Sequence, residues 1–253
     1  MNLEKVVNWS LGVVGFLFII FVFFQIFGNE REPDFDPWTK GKPVKPNLSV
    51  LPYHGLDVSI KQGYVDWQAT TMDRLIEFVY VKATEGHDFV DPRYLANVSA
   101  AHDYGFLIGS YHTLTSKGSV VEQFFNFNKH VLLSAQRLLP MVEVDELSTS
   151  GWTPQQVCDS LALFTWLVKD YYGCEPMIRT HQQFFEKTLR KRFGEYPLFV
   201  TGERKFQPRV KGARHFLLWQ RSTHGNVPGI YYDANLDSYT RGTSLEDLMI
   251  SNY

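Results

Sequence analysis

The sequence predicts an α/β fold built on a parallel sheet, preceded by one N-terminal transmembrane helix. Three observations predict it. From His54 onward, short apolar runs alternate with helical or turn segments over about 200 residues, as strands joined by crossovers do. Asp57, Glu85, His112, Asp145 and Gln220 fall at the C-terminal ends of such runs, the edge where a barrel of parallel strands builds its sites. No charged residue lies between Lys5 and Glu30. An open doubly wound sheet uses the same elements, although no glycine-rich phosphate loop follows the first strand.

The 253 residues carry 25 Lys+Arg against 27 Asp+Glu, and a net charge of −2 excludes a strongly basic nucleic-acid binder. With 44% hydrophobic residues and 15% aromatics the chain is not disordered. Two cysteines cannot build a disulfide framework, so a hydrophobic core must hold the fold. Three segments follow. Residues 1–28 read as a cytoplasmic stub and transmembrane signal anchor, 29–50 as a Pro-rich linker, and 51–253 as one globular body.

The anchor rests on Leu11 to Phe27, LGVVGFLFIIFVFFQIF, long enough as a helix to cross about 30 Å of hydrocarbon. It is apolar on every face, unlike a core helix. It also exceeds the roughly 7–15 apolar residues of a cleaved signal peptide, and no small-x-small site follows it. Lys5 before it and Arg31 after it balance under the positive-inside rule. The expected orientation, with the body on the periplasmic or extracellular side of the cytoplasmic membrane, therefore follows from the function inferred below. Pro33, Pro37, Pro43 and Pro46 make the linker extended.

Within the body, strands are expected at His54–Val58, Phe78–Ala83, Leu107–Tyr111, Leu138–Val144, Pro176–Arg179, Leu198–Thr201 and Phe216–Gln220. Helices are expected at Pro92–Tyr104, Ser119–Leu133, Thr153–Tyr172 and Gln182–Phe193, the third opening on a Thr153 cap with Pro154 in its first turn. Cys158 and Cys174 sit at opposite ends of that helix, about 20 Å apart, and are expected as free thiols. Seven strands can be placed; an eighth cannot.

The carboxylates carry the candidate chemistry. Leu139 to Leu147, LPMVEVDEL, places Glu143 and Asp145 on one strand face with Met141. Their backbones are then about 6.6 Å apart, near the spacing that paired carboxyls use in glycoside hydrolysis. Two like charges this close raise one pKa and keep an acid protonated near neutral pH. The bland alternative is a solvated strand end, or carboxylates neutralised by an Arg. Asp57, within YHGLDVS, is a third candidate, with turn capping as its alternative. Trp67, Trp219, Tyr111, Tyr80 and Tyr231 offer flat faces to sugar rings or pack a core; for Trp67 the core is preferred. His54, His112 and His181 show no HxxxH or HExxH spacing, so no metal is expected.

Read in order, these pieces resemble glycoside hydrolase family 25, lysozymes that cut between N-acetylmuramic acid and N-acetylglucosamine. Gly55–Ser59 (GLDVS), Val65–Trp67 (VDW), Val79–Gly86 (VYVKATEG), Asp91-Pro92 and Asn97 are similar to the family's opening. Ile108–His112 (IGSYH) resembles its third strand and Leu139–Asp145 its fourth, where the catalytic pair sits. Trp219-Gln220, Val227–Ile230 (VPGI) and residues 235–242 resemble the closing strand and loop. The resemblance spans roughly residues 53–245 and implies a modified TIM-like β/α barrel, a groove at the strands' C-terminal ends, peptidoglycan glycan strands as partner and no cofactor. Carried over by position, Asp145 becomes the general acid, Glu143 its electrostatic partner and Asp57 a stabilising carboxylate. The expected substrate contacts are Glu85, Tyr111, His112, Trp219, Gln220, Asn235 and Asp237.

Two departures bear on the chemistry. The family's Asp-x-Glu stands here as Glu143-Val-Asp145, and its closing Asp-x-Asn as Asn235-Leu-Asp237. Both pairs are exchanged, so that either the roles of Glu143 and Asp145 have swapped or the groove floor has shifted to suit a variant substrate. Asp is one methylene shorter than Glu, and an acid misplaced by about 1 Å can lose about 10²-fold in rate. Asn235 cannot replace an anionic carboxylate, while Asp237 restores the charge on the same face if that stretch is a strand. The expectation is a monomeric, membrane-anchored muramidase. A barrel that binds peptidoglycan with little or no turnover, and a cell-wall scaffold protein, are the alternatives.

Overall fold

The computed structural model describes residues 53–250. The expected anchor and linker lie outside the described residues; among these, no helix is long and apolar enough to cross a membrane.

Nine strands form one sheet: β1 (Gly55–Val58), β2 (Phe78–Glu85), β3 (Phe89–Val90), β4 (Leu107–Thr113), β5 (Met141–Glu143), β6 (Met177–His181), β7 (Pro197–Thr201), β8 (His215–Gly225) and β9 (Ala234–Tyr239). Their order is β1-β9-β8-β7-β6-β5-β4-β2-β3, and β1 also pairs with β2. Eight strands therefore close into a barrel, with β3 a short antiparallel flap on the end of β2. Seven barrel strands run parallel; β9 is antiparallel to both β8 and β1. The open doubly wound alternative is thereby excluded.

All seven expected strands are present, with shifted ends. The fourth is only Met141–Glu143, because Leu138 instead bridges Met249 and the chain turns after Val144. The unplaced eighth strand is β9. Its interior-facing residues are Asn235, Asp237 and Tyr239, so it lacks the apolar run that marks a buried parallel strand. Only eight residues, 226–233, join it to β8, too few for the crossover that a parallel strand requires.

Period-2 alternation divides the apolar residues into two clusters. Phe78, Tyr80, Tyr111, Met141, Met177, Phe199 and Leu218 fill the barrel interior. Val79, Val81, Ile108, Val142, Ile178, Leu198 and Val200 pack outward against the helices. Gly109 permits the first cluster: a Cβ there would lie 2.2 Å from the Tyr80 ring. The interior aromatics thus occupy space that a larger residue on β4 would need.

The helices appear at Tyr94–Asp103, Val120–His130 and Pro154–Tyr172, the last with the expected Thr153 cap and ended by Gly173 at φ 72°. The expected Gln182–Phe193 helix is broken by a π-helical stretch, Phe185–Leu189, which keeps both Phe184 and Phe185 buried. Between β7 and β8 no helix forms, and residues 202–214 run as a loop. Cys158 and Cys174 are free and half-buried.

Candidate active site

A cavity of about 570 Å³ opens among residues at the C-terminal ends of the barrel strands. Lys61, Gln62, Glu143, Asp145, Arg179, His181, Gln220, Tyr232, Asp233 and Asn235 are among its walls. Strand register makes it. Thr113, Glu143 and Arg179 lie side by side on β4, β5 and β6, and Asp57 faces Asn235 across β1 and β9. All five side chains therefore point into the barrel at one level.

Arg179 organises this level. Its guanidinium is buried and forks between two carboxylates, Nη2 lying 3.0 Å from Asp57 Oδ1 and Nη1 3.1 Å from Glu143 Oε1. Below, it stacks over Tyr111 and Phe199, at 5.1 and 5.2 Å from the ring centres. Asp57 also accepts from Asn235 Nδ2 (3.0 Å) and Gln220 Nε2 (3.3 Å), so both its oxygens are occupied. Glu143 Oε2 accepts from the Thr113 hydroxyl at 2.8 Å. Burial by itself raises the Glu143 carboxyl, but the Arg179 charge, the Thr113 hydroxyl and the more distant Lys82 and Lys61 outweigh it and hold it below the usual range. The expectation that Glu143 and Asp145, lying close together, raise one pKa does not hold at Glu143, because Arg179 bridges Glu143 to Asp57.

Asp145 is different. It lies just beyond β5, where Oδ1 accepts from the Ser148 N–H at 2.7 Å and starts a turn. Oδ2 takes no hydrogen bond from the described residues. Of the three carboxylates, only Asp145 has an oxygen without a hydrogen-bond partner among the described residues, and it lines the cavity. The expected pairing of Glu143 and Asp145 on one face therefore yields an anion clamped by Arg179 beside a partly free carboxyl.

The other expected contacts divide. Gln220 and Asn235 line the cavity, but each spends its amide on Asp57. Glu85 lies outside the cavity wall, paired with Lys82 at 2.5 Å. Tyr111 is floor beneath Arg179 rather than a surface for sugar. Trp219 is buried, its indole N–H donating to the Tyr239 carbonyl. His112 faces outward because Tyr111 faces inward, and it stacks 4.9 Å from Phe164. Strand alternation thus removes His112 from the substrate-contact set. Trp67 packs in the core, as expected.

Burial pushes the His112 imidazole down to about 3, with a Gln123 hydrogen bond opposing and Lys82 assisting. The fold holds it neutral, whereas the unfolded chain takes up a proton below about 6.5. Stability is therefore complete above that value and falls as pH drops towards 3. From pH 7 to pH 5 the expected loss is about 2 kcal/mol from this residue. Urea unfolding at the two pH values should show the loss in the parent and its disappearance in His112→Gln.

Asp237, expected to restore the charge missing at Asn235, does not. It is sealed inside the barrel, and neither carboxyl oxygen has a hydrogen-bond partner among the described residues. Burial, then the Asp57 charge, raises it well above the usual carboxylate value against the pull of Arg179, which favours the protonated form. A folded-state pKa above the unfolded one leaves stability whole at low pH and drains it as pH rises through the folded value. Asp237→Asn removes that drain. The variant's urea midpoint should gain on the parent's between pH 5 and pH 8; a constant difference would mean that Asp237 ionises normally.

Residues 56–230 match the model of glycosyl hydrolases family 25. The chain belongs to this family. It is 28% identical over 193 residues to the autolytic lysozyme of Clostridium acetobutylicum, which covers 74% of this chain and 56% of that protein. Among solved structures it is similar to the bacterial lysozyme from Streptomyces coelicolor, with a TM-score of 0.69 and 22% identity over 78% of this chain and 95% of that one. The family 25 glycosyl hydrolase from Bacillus anthracis gives 0.68 at 21% identity, over 77% and 92%. Both share the closed barrel. Family 25 membership makes the chain a glycoside hydrolase.

Arg179 is the main residue that sequence reading missed. Its signal was present: a lone cation in a short apolar strand, two residues after Met177 and therefore on the interior face.

Proposed function

We propose that the protein hydrolyses the β-1,4 bond between N-acetylmuramic acid and N-acetylglucosamine in peptidoglycan, with Asp145 as general acid. The free Asp145 Oδ2, against Glu143 and Asp57 that are both ion-paired with Arg179, carries this assignment. Asp145 gives its proton to the glycosidic oxygen as the bond breaks, and positive charge develops on the sugar ring. Glu143, held ionised in the cavity wall, stabilises that charge. Asp57 lies behind Arg179 and acts by holding it and Asn235 in place. Water completes hydrolysis, and the Asp145 carboxylate recovers a proton.

We propose Leu11–Phe27 as a membrane anchor and residues 29–50 as its spacer, with the barrel on the periplasmic or extracellular face because the proposed substrate lies there. Protease accessibility of the barrel in intact spheroplasts tests that assignment.

A second reading is a peptidoglycan-binding barrel without turnover, and Arg179 favours it by neutralising two of the three carboxylates. Incubation of residues 50–253 with purified peptidoglycan, followed by mass spectrometry of the released ends, separates the two. New reducing N-acetylmuramic acid ends, absent with Asp145→Asn, support the hydrolase. Sedimentation with the polymer and no release would leave the binding protein.

A further inference from the structure

The chain is acidic overall, yet one span is strongly basic. Between Gln182 and Arg214 stand nine Lys or Arg against three Glu, a local +6 in a protein of net charge −2. Two of the nine are paired, Arg192 with Asp159 and Arg214 with Glu195. Lys187, Arg190, Lys191, Arg204, Lys205, Arg209 and Lys211 are all exposed and form no ion pair among the described residues. Glu203, the acid nearest the start of the loop, is occupied by Ser222, Thr223 and His224.

Tertiary structure gathers these charges into a stripe. The β7–β8 loop lies against the Gln182–Phe193 segment through three contacts. The Arg209 carbonyl accepts from Gln182 Nε2 at 2.8 Å, the Lys211 N–H donates to Glu186 Oε1 at 3.1 Å, and the Arg214 N–H donates to the Gly194 carbonyl at 2.8 Å. Loop and helix therefore run parallel down the side of the barrel. At the upper end, the Gly202 N–H donates to Gln220, a cavity residue, so the stripe begins at the cavity rim. Phe206, 65% exposed, projects between Arg204-Lys205 and Arg209.

We infer that this stripe docks the barrel on an anionic phospholipid surface. A row of cations down one side suits an extended phosphate-bearing surface rather than a single small anion. An exposed aromatic ring within the row adds the apolar contact that the headgroup region of a bilayer accepts and a soluble polyanion does not require. The choice of a bilayer also draws on the anchor reading of Leu11–Phe27. The stripe holds the cavity rim at that surface.

Residues 53–253 suffice for the test. The barrel closes on itself around its own cores, and the Streptomyces coelicolor chain, 95% covered by the match, is such a barrel alone. The protein is sedimented with vesicles of phosphatidylcholine, with or without phosphatidylglycerol. It should bind the anionic vesicles only, and release at high salt. Each basic side chain near such a surface is worth about fivefold in partitioning, so the combined R204E, K205E, R209E and K211E variant should lose about 100-fold or more. F206S should lose roughly tenfold. Unchanged circular dichroism shows that the variants remain folded. Equal binding to neutral vesicles, or undiminished binding by the charge-reversed variant, overturns the inference. So does binding of long-chain polyphosphate, equally tight with F206S, without binding of anionic vesicles. A barrel that binds vesicles but leaves peptidoglycan uncut would overturn the proposed hydrolysis and leave this inference standing.

Discussion

Asp145→Asn is expected to lower kcat on peptidoglycan by about 10³-fold and to leave KM within a fewfold, because general acid catalysis contributes roughly 10²–10⁴. The amide keeps the acceptor that caps the turn at the Ser148 N–H, so the backbone beyond β5 stays in place and only the transferable proton is lost. Aryl glycosides with a good leaving group need less protonation and should recover most of the rate, a split that loss of fold would not produce. Asp145→Glu tests the reach argument. The added methylene carries the carboxyl about 1 Å further into the cavity, and if the exchanged pair has cost rate, kcat should rise, by up to about 10²-fold. A fall on both substrates would mean that the groove floor has moved to suit the shorter acid.

Arg179→Met is expected to cost about 3–5 kcal/mol, a large share of the roughly 5–15 kcal/mol that holds a domain together. The guanidinium is buried with Asp57 and Glu143 as its partners, and its removal leaves two carboxylates in the barrel without their cation. They would recover by taking up protons. Glu143, now below the usual range, would rise once burial is unopposed by Arg179. Since Glu143 works ionised, the acid limb of the pH–rate profile should move to higher pH, so that the variant loses more activity at pH 5 than at pH 7. Arg179→Lys keeps the charge but not the fork, and should shift the limb less while still losing stability. Urea unfolding and a pH–rate profile read the two effects separately. A variant as stable as the parent with an unmoved acid limb would refute the role given to Arg179.

Much of the barrel was legible because a buried parallel strand is apolar along its length. β2 and β7 stand out as such runs over most of their length, and the helix after Thr153-Pro154 announces its own start. β9 was illegible for the opposite reason: Asn235 and Asp237 face the interior, so polarity argues against burial there.

The amino-acid order alone determined the family, the run of strands and helices, and the presence of Asp57, Glu143 and Asp145 at strand ends, because each depends on a few neighbouring residues. Tertiary structure decided what those carboxylates are. Strands distant in sequence bring Arg179 between Asp57 and Glu143, and the pleat turns Tyr111 inward and His112 outward. Closure of the barrel seals Asp237 away from water. Charge state depends on what surrounds a group in space, and those neighbours come from β1, β4, β5, β6, β8 and β9 together.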